Sequence, residues 1–155
     1  MVEYNIDTPE LIDLTRYVDD RGSLVELLRI SWEVCPHPIR QVYMVHDRKA
    51  DVRRCWHKHA ELWDLFTIVH GTAVFGIVNE DSGFAKRYVL SDEKPQLLVV
   101  PPGFYHGWCS LTDDTLLVSL ASHEYNRDNP DEVRIPPDSL REWFHNRDPF
   151  DVWAK

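Results

Sequence analysis

Two stretches decide the fold: Arg53-Arg54-Cys55-Trp56-His57-Lys58-His59, followed by Asp64 and Gly71, and Pro101-Pro102-Gly103-Phe104-Tyr105-His106. In an extended strand, residues i and i+2 project from the same face, so His57 and His59 point the same way. Asp64 opens the next apolar run, which closes in a turn at Gly71. In the second stretch, Pro-Pro-Gly makes a rigid corner that aims His106, at the start of another strand, toward the same interior. Arg53 and Arg54 are neighbours and project to opposite faces when extended, so at most one of them shares that interior.

The rest of the chain reads as more short strands. Apolar or alternating runs occupy Ser23–Ile30, Ile39–His46, Leu65–Val69, Thr72–Val78, Ala85–Leu90, Gln96–Val100 and Thr115–Ala121. Turn formers separate them at Asp19–Gly22, Asp47–Asp51, Asn79–Gly83, Ser91–Pro95 and Thr112–Asp114. Six each of Trp, Tyr and Phe against only six Gly suit strands, and ten Pro mark their edges and turns. Many short strands at even spacing predict an all-β sandwich or barrel. Glu33–Arg40, with Cys35, Pro36 and Pro38, reads as a connecting loop. Only the tail, about Pro137–Asn146, has helical character, with Asp138 or Ser139 as N-cap and Trp143 and Phe144 to pin it to the barrel. One domain over residues 1–155, with its core at about 19–125, follows from the length and the absence of linkers or repeats.

Bulk properties exclude some functions. A net charge of -9 argues against broad nucleic-acid binding, though not against a phosphorylated small molecule held by one or two arginines. No apolar run approaches the roughly 20 residues of a membrane helix, and Met1–Glu10 lacks a signal-peptide pattern. Cys35, Cys55 and Cys109 form no C-x-x-C pair and read as free thiols in a reducing cytoplasm.

The spacing H-x-H, four residues, an acid, six residues, Gly, together with P-x-G-x-x-H, resembles the two motifs of the cupin superfamily. That resemblance covers Ile39 to about Ala121 and implies a double-stranded β-helix, or jelly-roll barrel. It departs at Asp64, where the usual residue is glutamate, and at Ser110, where it is asparagine. A closer resemblance is to the dTDP-4-dehydrorhamnose 3,5-epimerase family: Asp19 to Leu24 is similar to its D-x-R-G opening, Arg54-Cys55-Trp56-His57 to its R-G-x-H, and Pro101–Trp108 to its P-P-G-x-x-H-G-aromatic. The related dTDP-sugar 3,4-ketoisomerases resemble other stretches: R-G-x-H-x-H over Arg54–His59, the strand Val42-Tyr43-Met44-Val45, and the ending Leu120-Ala121-Ser122.

These families epimerise or isomerise a nucleotide sugar by removing a proton beside a keto group. That chemistry needs a base near the working pH, an acid on the other face and a stabiliser for the enolate oxygen. The resemblance implies His57 as the base. The epimerase tyrosine falls near Ser119 and the epimerase lysine near Asp64, whereas the ketoisomerase tyrosine maps onto Tyr43. His57 and Tyr43 are therefore the catalytic pair expected here, with no cofactor. Arg21 and Arg54 would hold the diphosphate, His59 and His106 would face the sugar, and Trp56, Trp63 or Tyr105 would stack on base or sugar. A homodimer is expected, with the arm Glu3–Leu14 available to cross to the partner.

Two other readings use the same residues. His57, His59, Asp64 and His106 occupy the four positions that hold a metal in metallocupins, a set that suits Fe, Mn, Ni or Zn. A non-catalytic, sugar-nucleotide-binding cupin would also fit the lost tyrosine and lysine, but pure binding has no need of three histidines. The remaining histidines, His37, His46, His70, His123 and His145, carry no motif, and Asn126–Glu132 reads as solvated loop.

Overall fold

The chain crosses between two sheets at almost every connection. The computed structural model describes residues 4–151, and among them strands run β1 (Glu10–Asp13), β2 (Arg16–Asp19), β3 (Gly22–Val25), β4 (Gln41–Asp47), β5 (Arg53–Lys58), β6 (Asp64–His70), β7 (Thr72–Asn79), β8 (Phe84–Ser91), β9 (Gln96–Val100), β10 (Tyr105–Ser110), β11 (Thr115–Ala121) and β12 (Val133–Arg134). One five-stranded sheet has the order β1-β9-β6-β11-β4, the other β12-β5-β10-β7-β8, and β2-β3 stand apart as a hairpin. From β4 to β12 only β7 and β8 follow each other within one sheet. This alternation is the jelly-roll barrel expected from the motifs.

Three apolar clusters hold it. Between the sheets, Phe66, Phe75, Ile77, Leu98, Trp108 and Leu117 fill the barrel. Behind the first sheet lie Leu65, Leu97, Val99 and Leu120, covered by Leu14 and Trp63. Behind the second, Trp56, Val74 and Val78 are covered by Leu140, Phe144 and Phe150 of the tail. Because β7 is covered on both faces, its interior residues are all buried and its sequence, TAVFGIVN, shows a continuous apolar run in place of an alternation.

Several expected boundaries move. The run from Ser23 to Ile30 is extended only to Val25, since its sole partner β2 is four residues long, and Ile30–Trp32 forms a 3₁₀ turn. The tail helix is a 3₁₀ segment, Pro137–Phe144, with a break at Leu140. Its N-cap is Pro136 with no side-chain cap, and Asp138, expected as a cap, accepts from Arg141 Nε at 2.8 Å. The arm expected from Glu3 begins outside the described residues; its strand β1 pairs with β9 of the same chain. No helix among the described residues is long and apolar enough to cross a membrane.

Two contacts join the motif strands. The Gly103 N–H, in a turn whose φ of +86° suits glycine, donates to the His59 carbonyl at 2.8 Å. On β10 the register against β5 slips between His106 and Trp108: His106 faces His57 and Trp108 faces Arg54, so β5 carries one extra residue there. Gly107 lies inside this bulge. A Cβ on it would sit 2.3 Å from Cys55 Cβ and 2.9 Å from the Arg54 carbonyl oxygen. Gly107→Ala should therefore destabilise the protein by about 2 kcal/mol or more, the range for overpacking against backbone. Urea denaturation checks this, and an unchanged midpoint would sink the account of the bulge.

Candidate active site

The bulge decides which side chains of β5 enter the barrel. By simple alternation His57 would share its face with Cys55 and Arg53, but the extra residue brings Arg54 round to the cavity side with His57. Trp56 is sent outward, where it is fully buried, stacks on Phe144 and Phe150, and donates from Nε1 to the Pro137 carbonyl at 2.9 Å. Arg53 and Cys55 also border the cavity, and the Arg53 guanidinium is tied to the tail by Asp148, at 2.6 Å.

The cavity between the sheets measures about 810 Å³, within the range of small-molecule sites. One wall is β5 and β10, carrying His57 opposite His106. The other is β6, β11 and β4. There Tyr43 lies directly across from Ser119, and Ser119 from Phe66, so all three project inward, as does Asp64 two residues before Phe66. A tyrosine, Tyr43, thus lies one strand over from Ser119, in register.

At the floor, the Asp64 carboxylate is buried between the two sheets. Its Oδ2 lies 3.1 Å from His59 Nε2 and 3.3 Å from His106 Nε2. On their other sides, His59 Nδ1 meets the Asp131 carbonyl and His106 Nδ1 meets the Phe104 carbonyl at 3.1 Å. Each ring thus has an acceptor at both nitrogens. Burial alone would raise the Asp64 pKa, but hydrogen bonds from His106 and His59 outweigh it and hold the carboxyl well below its usual range. Burial likewise works to lower His59, and the Asp64 hydrogen bond and charge overcome it and raise its pKa. His59, Asp64 and His106 present ligand atoms within 4.8 Å of one another. His57, expected as a fourth ligand, stands outside that set, with its Nε2 4.0 Å from Glu132 Oε1.

Other expectations are corrected. Arg21 is at the tip of the β2–β3 hairpin, exposed, paired with Asp19, and does not line this cavity, because the hairpin belongs to neither sheet. Trp56, Trp63 and Tyr105 all pack behind the sheets, on the outward side of the pleat, so none can stack on a ligand here. The aromatic side chains that do line the cavity are Tyr43, Phe66, Trp108 and Tyr125. The stretch read as solvated loop is part of the site. Asp131 accepts from the backbone N–H groups of Ala60, Glu61 and Leu62 at 2.8–2.9 Å, fixing the turn after His59. Glu132 lies beside His57 and pairs with Arg134. Only the pairing of β12 with β5 brings these residues in, and a two-residue strand leaves no periodicity to read.

The two candidate proton carriers differ in protonation state. Burial, reinforced by His106, pushes His57 down to about 4 from the ordinary 6.5. Burial and the Asp64 charge, partly offset by a Ser119 hydrogen bond, push Tyr43 up to about 12. At neutral pH the imidazole is therefore unprotonated and the phenol protonated, on opposing sheets.

A family model described as FdtA: WxcM-like, C-terminal matches residues 7–133. A probable low-salt glycan biosynthesis epimerase of Haloferax volcanii is 32% identical over 142 residues, covering 86% of this chain and 90% of that protein. The TDP-4-oxo-6-deoxy-alpha-D-glucose-3,4-oxoisomerase of Aneurinibacillus thermoaerophilus is 26% identical, covering 81% and 85%. Among solved structures, the rmlC epimerase of Mycobacterium tuberculosis superposes with a TM-score of 0.76 at 25% identity, covering 91% of this chain and 74% of that one.

The shift at His57 has a consequence for stability. Between pH 6.5 and about 4 the unfolded chain protonates His57 while the folded chain does not, so stability from this group falls as the pH drops through that window. His59 works in the opposite direction: its raised pKa adds stability below the unfolded value, lost as pH rises through the folded one. His57→Gln should lose less stability than the wild type between pH 6.5 and pH 4, as measured by urea titration at both ends. An equal or larger loss would show that His57 is not held neutral.

Proposed function

The chain belongs to the FdtA, WxcM-like C-terminal family and is a nucleotide-sugar epimerase or isomerase, and on that premise we propose that it works as a 3,4-ketoisomerase on a dTDP-4-keto-6-deoxyhexose in deoxysugar or polysaccharide biosynthesis. The observation that carries the reading is the pair on opposing walls: a neutral imidazole at His57 and a protonated phenol at Tyr43, facing one cavity. His57 removes the proton beside the keto group through its free lone pair. The imidazolium so formed is stabilised by the Glu132 carboxylate, 4.0 Å away. Tyr43 returns a proton from the other wall. The enolate oxygen needs a positive partner, and His59, whose pKa is raised by its hydrogen bond to Asp64, supplies one beside Asp64, the position onto which the epimerase lysine falls. Arg54 holds the diphosphate at the cavity edge, and His106 fixes Asp64.

A second reading keeps the same cavity but places a divalent metal on His59, Asp64 and His106. The donor set fits: two imidazole Nε2 atoms and a carboxylate converge, and both Nδ1 atoms are already tied to backbone carbonyls, the arrangement that orients metal-binding histidines. Such an ion would act as a Lewis acid on the substrate carbonyl. Metal-free, the same geometry is satisfied by protons shared with Asp64.

Solvent deuterium exchange into dTDP-4-keto-6-deoxyglucose separates these readings from binding alone. The wild type should exchange the proton beside the keto group, while His57→Gln and Tyr43→Phe should each lose about 10²–10⁴-fold, the usual contribution of a general acid or base. Metal content by mass spectrometry on untagged protein distinguishes the two enzyme readings. Near one metal per chain, lost in Asp64→Ala, supports the metal site, and far less than one supports His59 as the cation. Binding without exchange would sink both.

The protein is further proposed to be a cytoplasmic homodimer. Its three cysteines are free, as in a reducing compartment. Tyr17, Val18 and Leu24 on the hairpin, and Val42 and Met44 on the outer face of β4, leave large apolar side chains exposed. Sedimentation equilibrium should return about twice the chain mass of 18.3 kDa; a value near the single mass would refute the dimer.

A further inference from the structure

Arg54 is half-exposed at the cavity, yet its guanidinium does not float. Its Nε donates at 2.8 Å to Oδ1 of Asp47, the last residue of β4. Asp47 is only 2% exposed, and its second oxygen accepts from Trp108 Nε1 at 3.2 Å. Trp108 is the cross-strand neighbour of Arg54 on β10. Both carboxylate oxygens are therefore engaged, one from each of two adjacent strands of the opposite sheet, and the carboxylate cannot turn without breaking one bond. A guanidinium held through Nε is fixed in its plane and direction while its two terminal nitrogens stay available. Among the described residues those nitrogens have no hydrogen-bond partner.

We infer that Asp47 is a positioning residue for substrate affinity: it holds Arg54 so that the two terminal nitrogens present a fixed fork to the diphosphate of the nucleotide sugar. This rests on the reading of Arg54 as the diphosphate ligand. Lysine would not serve, because the fork is what Asp47 orients. The same carboxylate ties the end of β4, the strand of Tyr43, to β5, the strand of His57. A purely structural brace would need that tie but would have no bearing on anion affinity.

The test is a double-mutant cycle on the full chain, with inorganic pyrophosphate and TDP as probes in isothermal titration. Asp47→Asn keeps the shape of the side chain and removes its charge. Asp47→Asn and Arg54→Lys should each weaken pyrophosphate and TDP by about tenfold, the value of one charge-assisted hydrogen bond. The double variant should be no weaker than Arg54→Lys alone, because Asp47 acts only through Arg54. Thymidine, which lacks phosphate, should bind all four proteins alike, and in turnover the loss should fall on KM and leave kcat in place. Wild-type affinity in Asp47→Asn, or single effects that multiply in the double variant, would overturn the inference while leaving Arg54 as a ligand. No binding of pyrophosphate or TDP to the wild type would overturn both. Should Asp47→Asn fail to fold, nitrogen-15 NMR of the wild type decides. The Arg54 Nε–H should exchange slowly with solvent with and without pyrophosphate, while its terminal N–H signals shift on titration. A fast-exchanging Nε–H would refute the clamp.

Discussion

A carboxylate buried between two sheets and shared by two histidines is the constraint on which the site depends. Asp64 comes from one wall of the barrel, and His59 and His106 from the other. An unpaired charge at that depth would cost several kcal/mol, so wherever Asp64 is ionised it must have both partners, and the sheets must close at the spacing that allows it. The partners are in turn fixed from behind by the carbonyls of Asp131 and Phe104. One interaction thus sets the distance between the walls, the orientation of two imidazoles and the charge at the floor of the cavity. Protons and a divalent metal are two ways to satisfy the same geometry.

The walls are tuned in opposite senses by that floor. Burial and the Asp64 charge raise the Tyr43 phenol, which stays protonated, while burial and His106 lower the His57 imidazole, which stays neutral. A donor and an acceptor of protons then face one another across a space large enough for a sugar. Sharing one buried cavity with a carboxylate and a cluster of imidazoles widens the gap between the two groups beyond that of the free side chains.

Support for the His57 wall comes from the outside of the barrel. The tail residues Phe144 and Phe150 pack on Trp56, and Asp148 holds Arg53, so β5 is gripped on the face opposite the site. Arg87 adds bonds to the Asp148 and Pro149 carbonyls. The tail therefore takes part in locating the strand that carries His57.

The sequence by itself determined the barrel and the histidine cluster. Strand periodicity, the i and i+2 spacing of His57 and His59, and the Pro-Pro-Gly corner before His106 are local features, and local features survive in a linear reading. Tyr43 and Asp64 followed from motif resemblance and lie on the cavity walls. Only the tertiary structure decided the rest, because each remaining feature depends on pairing between distant segments. The bulge opposite His106 and Trp108 turned Arg54 to the same side as His57, reversing what alternation along β5 predicts for it. The two-residue strand β12 carried Asp131 and Glu132 from an apparently solvated loop into the site. The hairpin β2–β3 kept Arg21 away from its own cavity, and the end of β4 placed Asp47 beneath Arg54. A strand's register is set by its partners, and a chain read alone does not contain its partners' positions.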